Sequence, residues 1–149
     1  MPDRAATTTW SGSLSGGSGT IALESSGAGR FPFSLATRAG EPEGETGPEE
    51  MIAAAHSACY SMQLSALLTG SGTPPDALDT RAVVTQQQQG TAFPITGIAL
   101  TVRGTVPGCD EESFRVAAEE AKRTCPVSVA LSGTEITVHA HLQNPTGTG

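Results

Sequence analysis

Two cysteines lie on segments whose residue patterns predict helices, and thiol chemistry is the first function that they suggest. Cys59 is in the middle of the apolar segment PEEMIAAAHSACYSMQLSALL, residues 48–68, and Cys125 directly precedes a proline. A single buried cysteine is more often a small apolar core residue than a reagent. Both cysteines lie on apolar faces of helices that a small domain would pack together, so they also fit a nucleophile and a second thiol in a redox cycle.

A reactive Cys59 would need a nearby cation, because burial in apolar surroundings raises the pKa of a thiol. The chain has eight Lys and Arg residues. Among them Arg38, at the predicted end of a strand that enters a loop, can point inward, although a surface arginine is the simpler interpretation of its position. His56, one turn before Cys59, can act as a base in a Cys–His pair. A core histidine bonded to a neighbour is again the simpler interpretation.

A zinc site is a weaker alternative. His56 and Cys59 are three residues apart, and His139 and His141 have strand spacing, so these residues could supply four zinc ligands. Such spacings are common. The sequence contains no Cys-x-x-Cys motif, which excludes a thioredoxin-type motif and a zinc ribbon. We therefore do not expect a metal site.

Composition and charge limit the fold and the partners. The chain has 149 residues, of which 37% are hydrophobic and 4% aromatic, and we expect one domain over 1–149 with frayed ends at 1–6 and 144–149. A core with so few large side chains would gain from burial against a second copy, which indicates a dimer.

The formal net charge is −7, and no run of Lys and Arg forms a basic patch, so nucleic acid is not an expected partner.

The sequence favours a cytoplasmic protein without membrane association. No apolar run reaches the ~20 residues that a membrane-spanning helix needs, and MPDRAATTTW lacks the apolar region of a signal peptide. The cysteines number three, Cys59, Cys109 and Cys125. An odd number of cysteines argues against a structural disulfide framework and fits a reducing compartment.

Strands and helices that could position the two thiols can be predicted along the chain. TTTWSGSL and TIALESS flank SGGSG and predict a hairpin. FPFSLATR predicts a third strand, which Arg38 ends before an acidic loop. The helix over 48–68 would begin with a capping box of Thr46 and Glu49. Its apolar residues surround the helix, which predicts a central, fully buried position.

The second half of the chain predicts three more strands and another helix. ALDTRAVVTQQQQ and FPITGIALTVRGTV predict a strand pair, and EITVHAHL predicts a final alternating strand. The segment PGCDEESFRVAAEEAKRTCP predicts a helix that Asp110 caps and Pro126 ends. Strands that arrive in hairpins favour an α+β fold, a mostly antiparallel sheet with two central helices. The expected inward residues of this second helix are Phe114, Ala117, Ala118, Ala121 and Cys125.

These residues resemble the OsmC/Ohr family of hydroperoxide reductases. The resemblance lies in PEEMIAAAHSACYSMQLS and VPGCDEESFRVAAEEAKRTCPVSVAL, together with FSLATRAGE and the early segments WSGSL and GSGTIALES. It covers about residues 8–142. Within the family, AAHSAC and CPVS favour the osmotically inducible protein C branch over the organic hydroperoxide resistance branch.

The resemblance implies an intertwined homodimer that acts as a thiol peroxidase without metal or prosthetic group. It implies that Cys59 is the peroxidatic cysteine and Cys125 the resolving one, and that Arg38 and Glu49 lie beside the reactive thiol. It further implies a hydroperoxide substrate, organic or hydrogen peroxide, an external dithiol reductant, and a role in oxidative or osmotic stress. Cys109 departs from the family pattern, which has an aliphatic residue after VPG, and no role is implied for it.

Helix geometry places the expected site between two chains. Glu49 precedes Cys59 by ten residues, which is roughly 15 Å along one helix. A single helix therefore cannot bring both to one thiol, and we expect Arg38 and Glu49 to serve Cys59 of the partner subunit. The competing function class is a non-enzymatic thiol protein, a redox sensor or a stress-induced binding protein, whose cysteines serve packing or signalling.

Overall fold

The computed structural model describes residues 2–144, in which six strands and four helices follow one another. They divide between two compact units, Met1–Met51 and Ile52–Gly149, and the single domain expected from the length stays a prediction. The first five elements are β1 (Thr7–Ser11), β2 (Ser18–Ala22), β3 (Arg30–Phe33), α1 (Leu35–Ala39) and α2 (Pro48–Gly70). The last five are β4 (Ala77–Gln86), β5 (Ile95–Thr105), α3 (Glu111–Thr124), α4 (Pro126–Ala130) and β6 (Glu135–Leu142).

The N-terminal unit is an antiparallel sheet in the order β1-β2-β3, which confirms the predicted hairpin. The strand predicted to run as far as Arg38 is shorter, since β3 ends at Phe33 and Arg38 lies on helix α1. Ser34 caps this helix: its hydroxyl accepts from the Thr37 N–H, and the Thr37 hydroxyl accepts from the Ser34 N–H. This capping box stops the extended chain, and the prediction of a strand there was wrong.

Helix α2 begins at Pro48, without the predicted capping box of Thr46 and Glu49. The Thr46 hydroxyl bonds to the Glu50 carboxylate instead. Only one face of the helix is buried within the chain, and Met62 on another face is 75% exposed. Within one chain, the apolar residues of α2 are therefore buried on one side of the helix and exposed on the other. The buried positions recur every four residues, at His56, Tyr60, Leu64 and Leu68.

The C-terminal unit contains a second sheet, in the order β4-β5-β6. Strands β4 and β5 are antiparallel, as predicted, whereas β6 is parallel to β5 because the chain crosses over through α3 and α4 between them. The mostly antiparallel α+β fold is confirmed, with this pair as the exception. Asp110 caps α3 by accepting from the Ser113 N–H at 2.7 Å, also as predicted. The buried core of this unit includes Tyr60, Leu64, Leu100, Val102, Phe114, Ala121 and Cys125.

Hydrogen bonds hold Ala5 and Asn144, which lie near the two ends of the described chain. Ala5 donates its N–H to the Ser25 hydroxyl and accepts from the Ser25 N–H. The Asn144 side chain accepts from the Val106 N–H and donates to the carbonyls of Val106 and Cys109. Of the expected frayed ends, residue 1 and residues 145–149 lie outside the described residues. Between residues 2 and 144, no helix combines the length and apolar character of a membrane span.

Gly104 allows α3 to approach the second sheet, and its replacement should destabilise the fold. A Cβ atom at this position would lie 2.6 Å from the Phe114 ring and 3.2 Å from the Leu78 Cδ2. The ring is buried, so we expect Gly104→Ala to lower the free energy of unfolding by about 1–3 kcal/mol in urea denaturation. Gly97→Ala on the same strand is the control, since its Cβ would meet only the Glu135 carbonyl oxygen, at 3.8 Å. Equal stability of the two variants would contradict this packing.

Candidate active site

Cys125 lies where α3 ends and α4 begins. Its N–H donates to the Ala121 carbonyl at the end of α3, while its own carbonyl accepts from the Val129 N–H within α4. Its ψ of 124° is extended, as the residue before a proline requires, and Pro126 occupies the first turn of α4. The side chain is fully buried. Pro126 therefore fixes this thiol at a break between two helices, at the start of α4.

The surroundings of Cys125 favour its thiolate. Burial by itself raises the pKa of the thiol, but the nearby polar groups of Ser128, Cys59 and Val127 oppose this effect, and the pKa falls below its ordinary value. Donors aimed at a sulfur stabilise its charged form. Cys125 is thus prepared for ionisation by neutral groups of its own unit.

Cys59 lies on α2 against Cys125, and its surroundings act in the opposite direction. The thiol is partly buried, and this burial is the main cause of a raised pKa. The side-chain interaction with Cys125 raises the pKa further, and the Val127 N–H opposes the rise only in part. The two predicted redox thiols are therefore neighbours, and the surroundings of Cys59 disfavour its thiolate.

His56 is a core histidine, the simpler of the two interpretations of its position. Its ring is fully buried on α2, and Nε2 lies 2.7 Å from the hydroxyl oxygen of Ser128 on α4. Burial lowers the pKa of His56, which favours a neutral ring. Ser128 was not among the residues singled out from the sequence. The sequence could have indicated Ser128, because this residue stands three positions after Cys125 in the segment CPVS.

Arg38 and Glu49 form the expected ion pair within the N-terminal unit. Nε of Arg38 donates to both carboxylate oxygens of Glu49, at 3.0 and 3.2 Å, and Nη2 donates to Oε1 at 2.7 Å. Arg38 is on the short helix α1 and Glu49 in the first turn of α2, and the glutamate side chain is only 15% exposed. A planar, multiply bonded pair of this kind fixes the direction of the guanidinium.

Cys109 occupies a different environment. It faces a cavity of about 390 Å³ between the end of α2 and the start of α3, whose lining includes Leu67 and Val116 but neither Cys59 nor Cys125. Burial and the charge of Asp110 raise the pKa of the Cys109 thiol. These features favour a protonated, structural thiol.

The zinc alternative finds no support in the geometry. Across residues 2–144, no three His, Cys, Asp or Glu side chains are grouped so that they could hold a metal ion. His56 bonds to Ser128, while His139 and His141 are exposed on β6.

Comparison with known proteins assigns the chain to a family. A family model described as "OsmC-like protein" matches residues 40–140. The peroxiredoxin OsmC of Escherichia coli strain K12 is 41% identical over 135 residues, which cover 91% of this chain and 93% of that protein. The chain belongs to the OsmC family. The resemblance inferred from the sequence is thereby confirmed.

Solved structures of OsmC-like and organic hydroperoxide resistance proteins share the fold. An OsmC-like protein from Vibrio cholerae has a TM-score of 0.75 at 16% identity, over 94% of this chain and 99% of that one. An organic hydroperoxide resistance protein from Elizabethkingia anophelis has a TM-score of 0.72 at 22% identity, over 97% and 98%. These likenesses extend over nearly the whole OsmC fold.

The neighbouring thiols should join when the protein is oxidised. We expect a mild thiol oxidant such as diamide to produce an intrachain Cys59–Cys125 disulfide and to leave Cys109 as a thiol, because Cys109 faces another cavity. Mass spectrometry of unreduced peptides measures the pairing. Cys109→Ser is the matched control and should give the same disulfide. A disulfide that contains Cys109 in the folded protein would contradict this geometry.

Proposed function

We propose that this OsmC-family chain is a thiol-dependent peroxidase that reduces organic hydroperoxides and hydrogen peroxide. The observation that carries the proposal is the adjacent pair of thiols, Cys59 and Cys125, whose surroundings shift their pKa values in opposite directions. Such a difference suits a cycle in which the two sulfurs have different tasks. The names of its relatives, peroxiredoxin and organic hydroperoxide resistance protein, support the same reaction class.

In the first step, the Cys59 thiolate attacks one oxygen of the hydroperoxide. A sulfur–oxygen bond forms while the O–O bond breaks, and the leaving oxygen takes a proton to become an alcohol or water. The sulfur is oxidised to a sulfenic acid and the peroxide is reduced. Arg38, oriented by Glu49, would stabilise both the thiolate and the negative charge on the departing oxygen.

We further propose that the guanidinium comes from a second copy of the chain. Glu49 and Cys59 are ten residues apart on one unbroken helix, roughly 15 Å along its axis. A homodimer would allow the Arg38–Glu49 pair of one subunit to reach Cys59 of the partner subunit. The exposed apolar side of α2 supports such a dimer, because small side chains let two helices approach closely. This side consists of Ala54, Ala55, Ala58, Met62 and Ala66.

In the second step, the Cys125 thiolate attacks the sulfur of the Cys59 sulfenic acid. The S–S bond forms as the S–O bond breaks, and the hydroxide that leaves takes a proton to become water. An external dithiol then reduces the disulfide by thiol exchange and is itself oxidised to a disulfide. This requirement for a reductant and for free thiols fits a reducing compartment, and we propose the cytoplasm.

Cysteine variants test the peroxidase cycle. We expect Cys59→Ser to abolish peroxide consumption with dithiothreitol as reductant, because no sulfenic acid can form. Cys125→Ser should still consume the first equivalent of peroxide and accumulate a sulfenic acid, which dimedone traps and mass spectrometry detects. Cys109→Ser is the matched control and should turn over like the wild type. Wild-type protein that consumes no hydroperoxide would indicate the sensor or binding class instead.

A further inference from the structure

Two side-chain hydrogen bonds join α2 to the segment that carries Cys125, and we call them the clamp. Nε2 of His56 lies 2.7 Å from the hydroxyl oxygen of Ser128 on α4. The side-chain amide of Gln63 donates to the hydroxyl oxygen of Thr124, the last residue of α3, at 2.8 Å. The first bond is buried and the second is exposed to solvent. All four residues belong to the C-terminal unit, so both bonds form within one chain.

The clamp encloses both thiols. On α2, Cys59 follows one clamp residue by three positions and precedes the other by four, which are the spacings of neighbours on one helix face. Cys125 comes directly after Thr124 and three positions before Ser128. The bonds pair position 56 with 128 and position 63 with 124, so the two segments run in opposite directions. One bond therefore lies on each side of the thiol pair.

The break between α3 and α4 explains why side chains are needed to hold Cys125. Pro126 has no N–H, so the series of helical hydrogen bonds is interrupted directly after Cys125, whose ψ of 124° is extended. Helices bend most readily at such an interruption. The clamp fixes both sides of the break, Thr124 before it and Ser128 after it, against the continuous helix α2.

We propose that the four clamp residues position Cys125 for the resolving step. The inference rests on the proposed function, in which the Cys125 thiolate attacks the sulfur of the Cys59 sulfenic acid. The S–S bond forms as the S–O bond breaks, and the hydroxide that leaves takes a proton to become water. A thiol already held against its target loses little freedom in this step, so its effective concentration is high. Loss of either bond should lower that effective concentration.

Equilibrium with dithiothreitol measures the effective concentration without peroxide. In a Cys109→Ser parent, the Cys59–Cys125 disulfide exchanges with reduced dithiothreitol, and alkylation of the free thiols followed by mass spectrometry quantifies the two forms. We expect Ser128→Ala to lower the equilibrium constant for disulfide formation about tenfold, because it removes the buried bond. Thr124→Val should lower the constant about threefold, because it removes the exposed bond.

The chain offers a matched control on the same helix. Ser61 also lies on α2, but its hydroxyl oxygen is 2.7 Å from that of Thr80 on β4, outside the clamp. Ser61→Ala should therefore keep the equilibrium constant of the parent. Thr124→Ser retains the hydroxyl of the exposed bond and should also resemble the parent. A folded Ser128→Ala or Thr124→Val variant with the same constant as Ser61→Ala would overturn the inference.

Double-mutant cycles test whether the two ends of each bond act together. His56→Leu and Ser128→Ala break the same bond, so the double variant should lower the equilibrium constant no further than one single variant. Gln63→Met and Thr124→Val give the corresponding cycle for the exposed bond. This second cycle leaves the buried core unchanged and decides the question if the buried variants do not fold. Additive effects in a cycle of folded variants would overturn the inference.

Neither equilibrium experiment uses peroxide, so its outcome is separate from that of the proposed function. A wild-type protein that forms no sulfenic acid would refute the peroxidase, whereas a lowered equilibrium constant in the clamp variants would still support the clamp. In the active protein, stopped-flow measurement after one equivalent of peroxide should show an unchanged first step and a slower second step in Thr124→Val, with Thr124→Ser close to the wild type. An equal second step in both variants would overturn the positioning role.

Discussion

A thiol in an apolar helical environment stays protonated unless a neighbouring group compensates for the burial of its charge. Cys59 illustrates this constraint, since burial and the Cys125 thiol both raise its pKa. The chain also contains a guanidinium held in a fixed direction, because Glu49 bonds Arg38 through two nitrogens. In the proposed mechanism, reactivity at Cys59 depends on bringing the thiol and the guanidinium together, and the proposed dimer would do so.

The two thiols would then be prepared for reaction in different ways. Within one chain, uncharged groups at the start of α4 lower the pKa of Cys125. Cys59 would become reactive only on assembly, when a cation from the second subunit arrives. An unassembled chain would accordingly carry a ready resolving thiol and an inert peroxidatic one. In the proposed dimer, this order would protect Cys59 from oxidation before its reaction site is complete.

The sequence allowed the long elements and the family to be predicted because their signals are local. The alternation of β5 and β6 and the Asp110 cap of α3 are examples. The prediction failed for Arg38, since its segment continues a strand pattern while the capping box of Ser34 and Thr37 starts a helix. It also failed for the Thr46–Glu49 box, because Glu49 bonds to Arg38, eleven residues away. Contacts between distant residues leave no local spacing to detect.

The same limit applies to the candidate site. The partner of His56 is Ser128, 72 residues further along the chain, and only the packing of α4 against α2 brings them together. The parallel pairing of β6 with β5 depends likewise on the path of α3 and α4, which hydrophobic periodicity does not specify. Cys59 and Cys125 were predicted to lie on apolar helix faces that pack together, and in the structure each thiol influences the pKa of the other.

Activity of mixed dimers tests most directly whether Cys59 depends on the second subunit. Cys59→Ser and Arg38→Met chains should each be inactive alone, since each homodimer lacks one component at both sites. In a mixed dimer, one site regains both components, so refolding the two chains together should restore about a quarter of the wild-type activity. Native mass spectrometry verifies that mixed dimers form. Mixed dimers without peroxidase activity would contradict a site shared between subunits.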